Sequence, residues 1–111
     1  MSKVISNNLP KMVTIFSKEF SITYVEEFSE VDRAKEESLY GQVDYRTNSI
    51  RIYKPKDYSL ENTWHILLHE IVHIIKDNMN VDFQQDEEER IIDNFALGFM
   101  HLCFANKLNF S

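Results

Sequence analysis

The segment "LLHEIVHII", from Leu67 to Ile75, places one glutamate and two histidines inside an otherwise apolar run. Apolar residues recur here at spacings of three and four, which is typical of an amphipathic helix. With Ser59 as the N-cap residue, we predict a helix from about Leu60 to about Asp77. A carboxylate is costly to bury without a partner, so Glu70 restricts how this helix can pack and favours a position facing a cleft.

Composition predicts one domain over residues 1–111. The chain has 111 residues, 43% of them hydrophobic, with only two glycines and two prolines available for linkers. A net charge of −6 argues against binding to a nucleic-acid backbone. One cysteine, Cys103, excludes an internal disulfide and a cysteine-rich zinc site. Neither a signal-peptide apolar segment nor a membrane-length apolar run is present, so we expect a cytoplasmic protein that binds no membrane.

Two strand pairs are predicted before the helix. The segments from Met12 to Phe16 and from Phe20 to Phe28 are rich in β-branched and aromatic residues, with "SKE" as their connection. Residues 40–45 and 50–53 flank "RTNS", whose asparagine suits a tight turn, and Gly41 suits a bulge or a close backbone approach. The charged segment between the pairs, residues 29–38, is expected to be a solvated loop or a short helical turn.

A second helix is predicted from near Asp86 to about Lys107. Acidic residues crowd its first turn, where the helix dipole stabilises them. The fold class is therefore α+β: an antiparallel sheet of about four strands, made of two hairpins, packed on a helix pair. Trp64 and Phe99 are expected in the core, and Gly98 is expected to allow a close contact between the helices.

The pattern His69-Glu70-x-x-His73 carries the chemistry. Residues four apart on a helix lie on one face, so both imidazoles can bind one metal ion, and neutral imidazole is a good zinc ligand. Glu70 lies beside this pair without being aligned as a third ligand. A carboxylate in that place can take a proton from a zinc-activated water as a general base. The alternative is that both histidines are ordinary helix-surface residues.

A catalytic zinc also needs a third protein ligand, and the candidates are the acids at positions 86–89. Helical spacing favours Glu89, because Asp93 follows one turn later on the same face. From there Asp93 could accept the free ring N–H of a ligand histidine. Glu88 stays open as the alternative ligand. His65 is expected to be a partly exposed helix residue and not a ligand, with a contact behind a ligand or with substrate as the alternative, and His101 is expected to be structural. The group that stabilises the oxyanion could be any of Tyr40, Tyr45, Tyr53 and Tyr58, and the sequence does not choose among them.

"HEIVH" followed by "EERIIDNFALGFM" resembles the gluzincin type of zinc metallopeptidase. Over residues 39–104 the chain resembles more closely the ImmA/IrrE-type metallopeptidases, often encoded on phages and mobile elements. In that family a short sheet precedes the HExxH helix. A later helix carries a glutamate ligand four residues before Asn or Asp, and then an aromatic-Ala pair. Those positions are Glu89, Asp93, Phe95 and Ala96 here.

The resemblance implies a small zincin-like domain that binds one Zn²⁺ and acts as an endopeptidase of narrow specificity. Relatives act on repressor-type proteins, so a repressor-type regulator is the expected substrate. Two other functions stay open. Zinc could be a structural ion that joins the two helices of a non-catalytic module, and the module would act through a protein partner. The helices could also form a core without any metal.

Overall fold

The computed structural model describes residues 9–27 and 40–106, and at residues 85 and 86 it describes the backbone alone. The elements are, in chain order, strands β1 (Met12–Ile15), β2 (Lys18–Val25), β3 (Gly41–Asp44) and β4 (Ser49–Tyr53), then helices α1 (Leu60–Asn78) and α2 (Gln85–Asn106). The α+β class and both helices are confirmed, each described boundary lying within one residue of the prediction. The predicted loop at residues 29–38 and the predicted helix end at Lys107 lie outside the described residues.

The first hairpin is tighter than predicted. Ile15 pairs with Lys18, so the connection consists of Phe16 and Ser17 alone, with φ angles of 48° and 71°. Positive φ at both central residues is the geometry of a type I′ turn, which matches the twist of the flanking strands. The predicted connection at residues 17–19 is therefore displaced, because no glycine or asparagine marks this turn in the sequence.

The second hairpin has its turn where the sequence predicts one. Asp44 pairs with Ser49, and Asn48 has a φ of 50° in the four-residue turn between them. Asparagine tolerates this left-handed conformation better than most residues. Asp44 also accepts a hydrogen bond from the backbone N–H of Arg46 at 2.9 Å, which closes the turn locally.

The two hairpins join into one mixed sheet with the strand order β1-β2-β4-β3. Each hairpin is antiparallel, but β2 and β4 pair in parallel, with Ile22 opposite Ile50. The prediction of a wholly antiparallel sheet is therefore wrong at this junction. The residues Phe20, Ile22, Ile50 and Ile52 are each at most 5% exposed. The period of two places them on the buried face of the two central strands, but it does not fix the relative direction of the hairpins, so the sequence could not predict the parallel junction.

Each helix has one buried face, which packs in the interior of the domain. Ser59 caps α1, its Oγ accepting the backbone N–H of Asn62 at 3.0 Å. The buried side chains of α1 are Thr63, Trp64, Leu67, Leu68, Glu70 and Ile74, and those of α2 are Ile92, Ala96, Met100 and Cys103. Neither helix in the described ranges carries an apolar stretch of the length that a bilayer crossing requires.

Two expectations about the outer face of α2 are wrong. Phe99 is 43% exposed, and a Cβ added at Gly98 would meet no atom of the described residues within 4 Å. The buried stripe of α2 runs through Ile92, Ala96, Met100 and Cys103 instead. Gly98 lies on the side of the helix that faces away from α1, so helix contact does not explain it.

Candidate metal centre

Two histidines of α1 face the same point. His69 and His73 lie one helical turn apart, and their ring centroids are 4.9 Å apart. Their side chains are 13% and 18% exposed, so the surrounding protein restricts both rings. The i, i+4 spacing in the sequence is what puts them on one face.

Glu89 of α2 completes the group. Its Oε1 lies 3.1 Å from His69 Nε2, and its Oε2 lies 2.8 Å from His73 Nε2. Ligand atoms of these three residues all lie within 4.8 Å of one another, and no other such group occurs among the side chains that the structure describes. Two imidazole nitrogens and one carboxylate oxygen form a donor set found in catalytic zinc sites, so these residues could hold a zinc ion.

Glu88, the alternative third ligand, is turned towards a different partner. Its Oε1 lies 3.0 Å from Lys76 Nζ, while its Oε2 lies 3.8 Å from His73 Nδ1. The Glu88 carboxylate beside the Lys76 ammonium raises the pKa of that ammonium above its ordinary value. Lys76 was missed from the sequence, although its position three residues after His73 puts it on the same side of α1.

Of the other two acids in this run, Glu87 does not belong to the group, and Asp86 cannot be placed in or outside it. Glu87 is exposed and accepts a hydrogen bond from Arg90 at 3.0 Å, as expected for a solvated first-turn acid. The side chain of Asp86 lies outside the described part of the chain. His101, expected to be structural, is exposed on α2 and is not part of the metal-ligand group.

Asp93 lies behind His69, where helical spacing predicted it. Asp93 Oδ1 is 3.1 Å from His69 Nδ1. Because an ionised carboxylate can only accept, this contact places a proton on Nδ1, and Nε2, which faces Glu89, is the nitrogen that could bind a metal ion. His65 was expected to be a partly exposed helix residue. Its side chain is 25% exposed, and its Nε2 lies 2.9 Å from the same Asp93 oxygen.

Glu70 is the buried carboxylate of the centre. It is 5% exposed and lies against β3, where a Cβ added at Gly41 would come within 2.7 Å of Glu70 Oε2. Burial raises the pKa of Glu70 from its ordinary 4.5 to about 7, with His69 opposing and Glu89 adding to the increase. The close backbone approach expected at Gly41 is therefore a contact with Glu70, which the sequence did not reveal.

A cavity of about 160 Å³ opens over this group. Its lining includes Glu70, His69 and Glu89 together with Tyr40, which is 47% exposed. Tyr40 is the tyrosine that lines this cavity, and its ring stacks on Tyr58 with centroids 6.2 Å apart. A polar molecule in the cavity would therefore meet the carboxylates, an imidazole and an aromatic ring.

Another tyrosine weighed from the sequence is engaged elsewhere. The Tyr45 hydroxyl donates a hydrogen bond to the side chain of Asp77, near the end of α1. Burial and this hydrogen bond raise the pKa of Tyr45. Tyr45 therefore ties the β3–β4 turn to the helix that carries both histidines.

Comparisons of the chain with models of protein families, with curated proteins and with solved structures found no match. The side-chain geometry of the centre is therefore the observation on which a functional proposal depends.

Proposed function

We propose that this protein is a zinc-dependent metalloendopeptidase of the ImmA/IrrE type, a gluzincin-like enzyme that acts in the cytoplasm on a repressor-type protein. One observation carries the proposal: His69 Nε2 and His73 Nε2 face the carboxylate oxygens of Glu89 at 3.1 and 2.8 Å. These distances suit N–H···O hydrogen bonds, and a metal ion that displaced those protons would meet two nitrogens and a carboxylate at one point. The buried Glu70 beside the group supports hydrolysis as the activity.

The proposed metal ion would be held by His69, His73 and Glu89, and when bound it would polarise a water molecule and the scissile carbonyl group. Glu70 then takes a proton from the attacking water on a carboxylate oxygen and returns it to the leaving amine. The water oxygen forms the new bond to the carbonyl carbon, and the C–N bond breaks. Asp93 keeps the Nδ1 proton of His69 in place throughout.

The substrate would bind along β3. This strand pairs with β4 on one side, and among the described elements no strand pairs with its other side. Gly41 at its start contacts Glu70, so a peptide that extends the sheet here would pass over the carboxylate. The other sheet edge, β1, lines a different, apolar groove together with Trp64 and Ile75. The position of β3 therefore favours it as the edge that receives substrate.

The test is cleavage by the purified, zinc-loaded protein of repressor-type proteins encoded beside its gene. We expect Glu70→Gln to reduce cleavage by about 100-fold or more, because it removes the general base. The same variant should still contain one zinc ion by elemental analysis. Glu88→Gln is the matched control and should cleave like wild type, since Glu88 pairs with Lys76. If Glu70→Gln cleaves as fast as wild type, the proposed mechanism is wrong.

A non-catalytic zinc module is the second candidate. It is favoured by one feature, that the three proposed ligands come from two different helices, so a bound ion would join α1 to α2. This function predicts a fourth protein or partner ligand in place of water. It also predicts that the zinc-loaded protein forms a stable complex with such regulators but leaves them uncleaved.

A further inference from the structure

We infer that an exposed apolar face of α2 binds the same face of a second copy of this chain, with the two α2 helices antiparallel and crossing at Gly98. The face is formed by Phe95, Gly98, Phe99 and Leu102, which lie three or four residues apart and so share one side of the helix. The proposed ligand Glu89 lies about 120° around the helix from Phe95. The inference is therefore independent of metal binding and of the proposed function.

Large apolar side chains dominate this face. Phe95 is 67% exposed and Leu102 is 50% exposed, with Phe99 at 43% between them. Phe99 also lines a groove of about 390 Å³ that continues the apolar surface to the first hairpin, where Met12 and Phe16 are exposed. Together these five side chains present roughly 500 Å² of apolar surface, which is the size of patch that marks an interaction site.

The size and shape of the face fit a second copy of the chain. A pair of such faces would bury about 1,000 Å², the lower limit for a specific interface. The face carries bulky side chains beside a position without one, since a Cβ at Gly98 would meet no described atom outside its own helix backbone within 4 Å. In an antiparallel pair, Phe95 packs on Leu102 of the second copy and Phe99 packs on its Gly98. Each contact then occurs twice, as a two-fold axis requires.

The charges of α2 favour the antiparallel orientation. Its first turns carry the acids Glu87, Glu88 and Glu89, whereas residues 94–106 contain no Asp, Glu, Lys or Arg. A parallel pair would bring two acidic ends together. In an antiparallel pair that crosses at Gly98 these ends lie about 30 Å apart by helix rise, well beyond the roughly 8–10 Å over which exposed charges interact at physiological salt.

Sedimentation equilibrium of the whole chain tests the inference. We expect a mass near twice 13.2 kDa at about 100 µM and dissociation towards the monomer at about 1 µM, as suits a small interface. Phe95→Glu should weaken association by about 30-fold or more, because it places a charge in the apolar contact. His101→Glu is the matched control and should associate like wild type. It adds the same charge at an exposed position of α2 that lies outside the face.

Two further variants test the geometry of the pair. An antiparallel crossing brings residue 91 close to residue 106 of the second copy, so a mixture of Ile91→Cys and Asn106→Cys should form a mixed disulfide on oxidation. The native Cys103 is buried and does not compete. A disulfide between two copies of Asn106→Cys would indicate a parallel pair and contradict the inference. Gly98→Ala should weaken association by about 10-fold, although alanine favours the helix of each monomer, and unchanged association would contradict the crossing.

Three results would overturn the inference outright. A wild-type chain that stays monomeric at about 100 µM leaves the face to another segment of the chain or to a different protein. Equal association of wild type and Phe95→Glu places the interface elsewhere. Association that occurs with added zinc but not with a chelator assigns the contact to the metal ion. Circular dichroism checks that each variant folds, and Leu102→Glu decides the question if Phe95→Glu does not fold.

Discussion

Gly41 and Glu70 touch so closely that position 41 has no room for a side chain. A Cβ there would lie 2.7 Å from Glu70 Oε2 and 2.8 Å from Glu70 Cγ. Glycine is needed at this position for space, since its φ is not positive. The start of β3 therefore forms one wall of the site that holds the buried carboxylate.

We predict that Gly41→Ala destabilises the metal-free protein by about 1–3 kcal/mol, because the new methyl group must displace Glu70 or the strand. Chemical denaturation measures the change in the free energy of unfolding. In a Glu70→Ala background the cost should largely disappear. Gly98→Ala is the control: within the described ranges a Cβ there would meet no atom outside its own helix backbone within 4 Å, so alanine should stabilise α2 by up to about 1 kcal/mol. If Gly41→Ala and Gly98→Ala changed the free energy of unfolding equally, the close contact of Gly41 with Glu70 would be contradicted.

Glu70 should make the metal-free protein less stable as the pH rises. Burial raises its pKa from 4.5 to about 7, so between these values the folded state binds more protons than the unfolded state. The free energy of unfolding therefore falls as the pH rises through this window. At about 1.4 kcal/mol per pH unit the full difference corresponds to about 3 kcal/mol.

The measurement is chemical denaturation from pH 4.5 to 7.5 in the presence of a chelator. Glu70→Gln should be less sensitive to pH across this window, because glutamine does not titrate. A wild-type protein whose pH dependence equals that of Glu70→Gln would show that Glu70 does not titrate in this way.

Glu89 and Glu88 should differ strongly in their effect on zinc binding. Glu89→Ala removes a carboxylate that lies 3.1 and 2.8 Å from the two Nε2 atoms, and we expect zinc affinity to fall by about 100-fold or more. Glu88→Ala removes a carboxylate paired with Lys76, and we expect a change of no more than about threefold. Competition with a chelating dye measures both. If Glu88→Ala lost more zinc affinity than Glu89→Ala, Glu88 and not Glu89 would be the third ligand.

Tyr45→Phe should destabilise the protein by about 0.5–1 kcal/mol. The substitution removes the hydrogen bond to Asp77 but keeps the ring, which packs edge-on against Phe20 with centroids 6.4 Å apart. The expected cost is small because Tyr45 is 49% exposed and water can replace its partner. Denaturation of Tyr45→Phe alone and in an Asp77→Ala background measures it. If Tyr45→Phe destabilised the protein equally with and without Asp77→Ala, the loss would come from other contacts of Tyr45 and not from the hydrogen bond.

Local periodicity made much of the molecule predictable. The two helices, the second hairpin with Asn48 in its turn, and the shared face of His69 and His73 all depend on residues close in sequence. The spacing of Glu89 and Asp93 on one helix face could be predicted in the same way. Their partners could be inferred because a metal site requires a third ligand and a group behind it.

Contacts between distant segments were decided by the tertiary structure alone. Residues of different elements meet in the parallel pairing of β2 with β4, the contact of Gly41 with Glu70 and the pairing of Lys76 with Glu88. Helix and strand periods specify which side of an element a residue occupies, but not which element lies opposite. That choice depends on how the apolar faces bury one another across the whole domain.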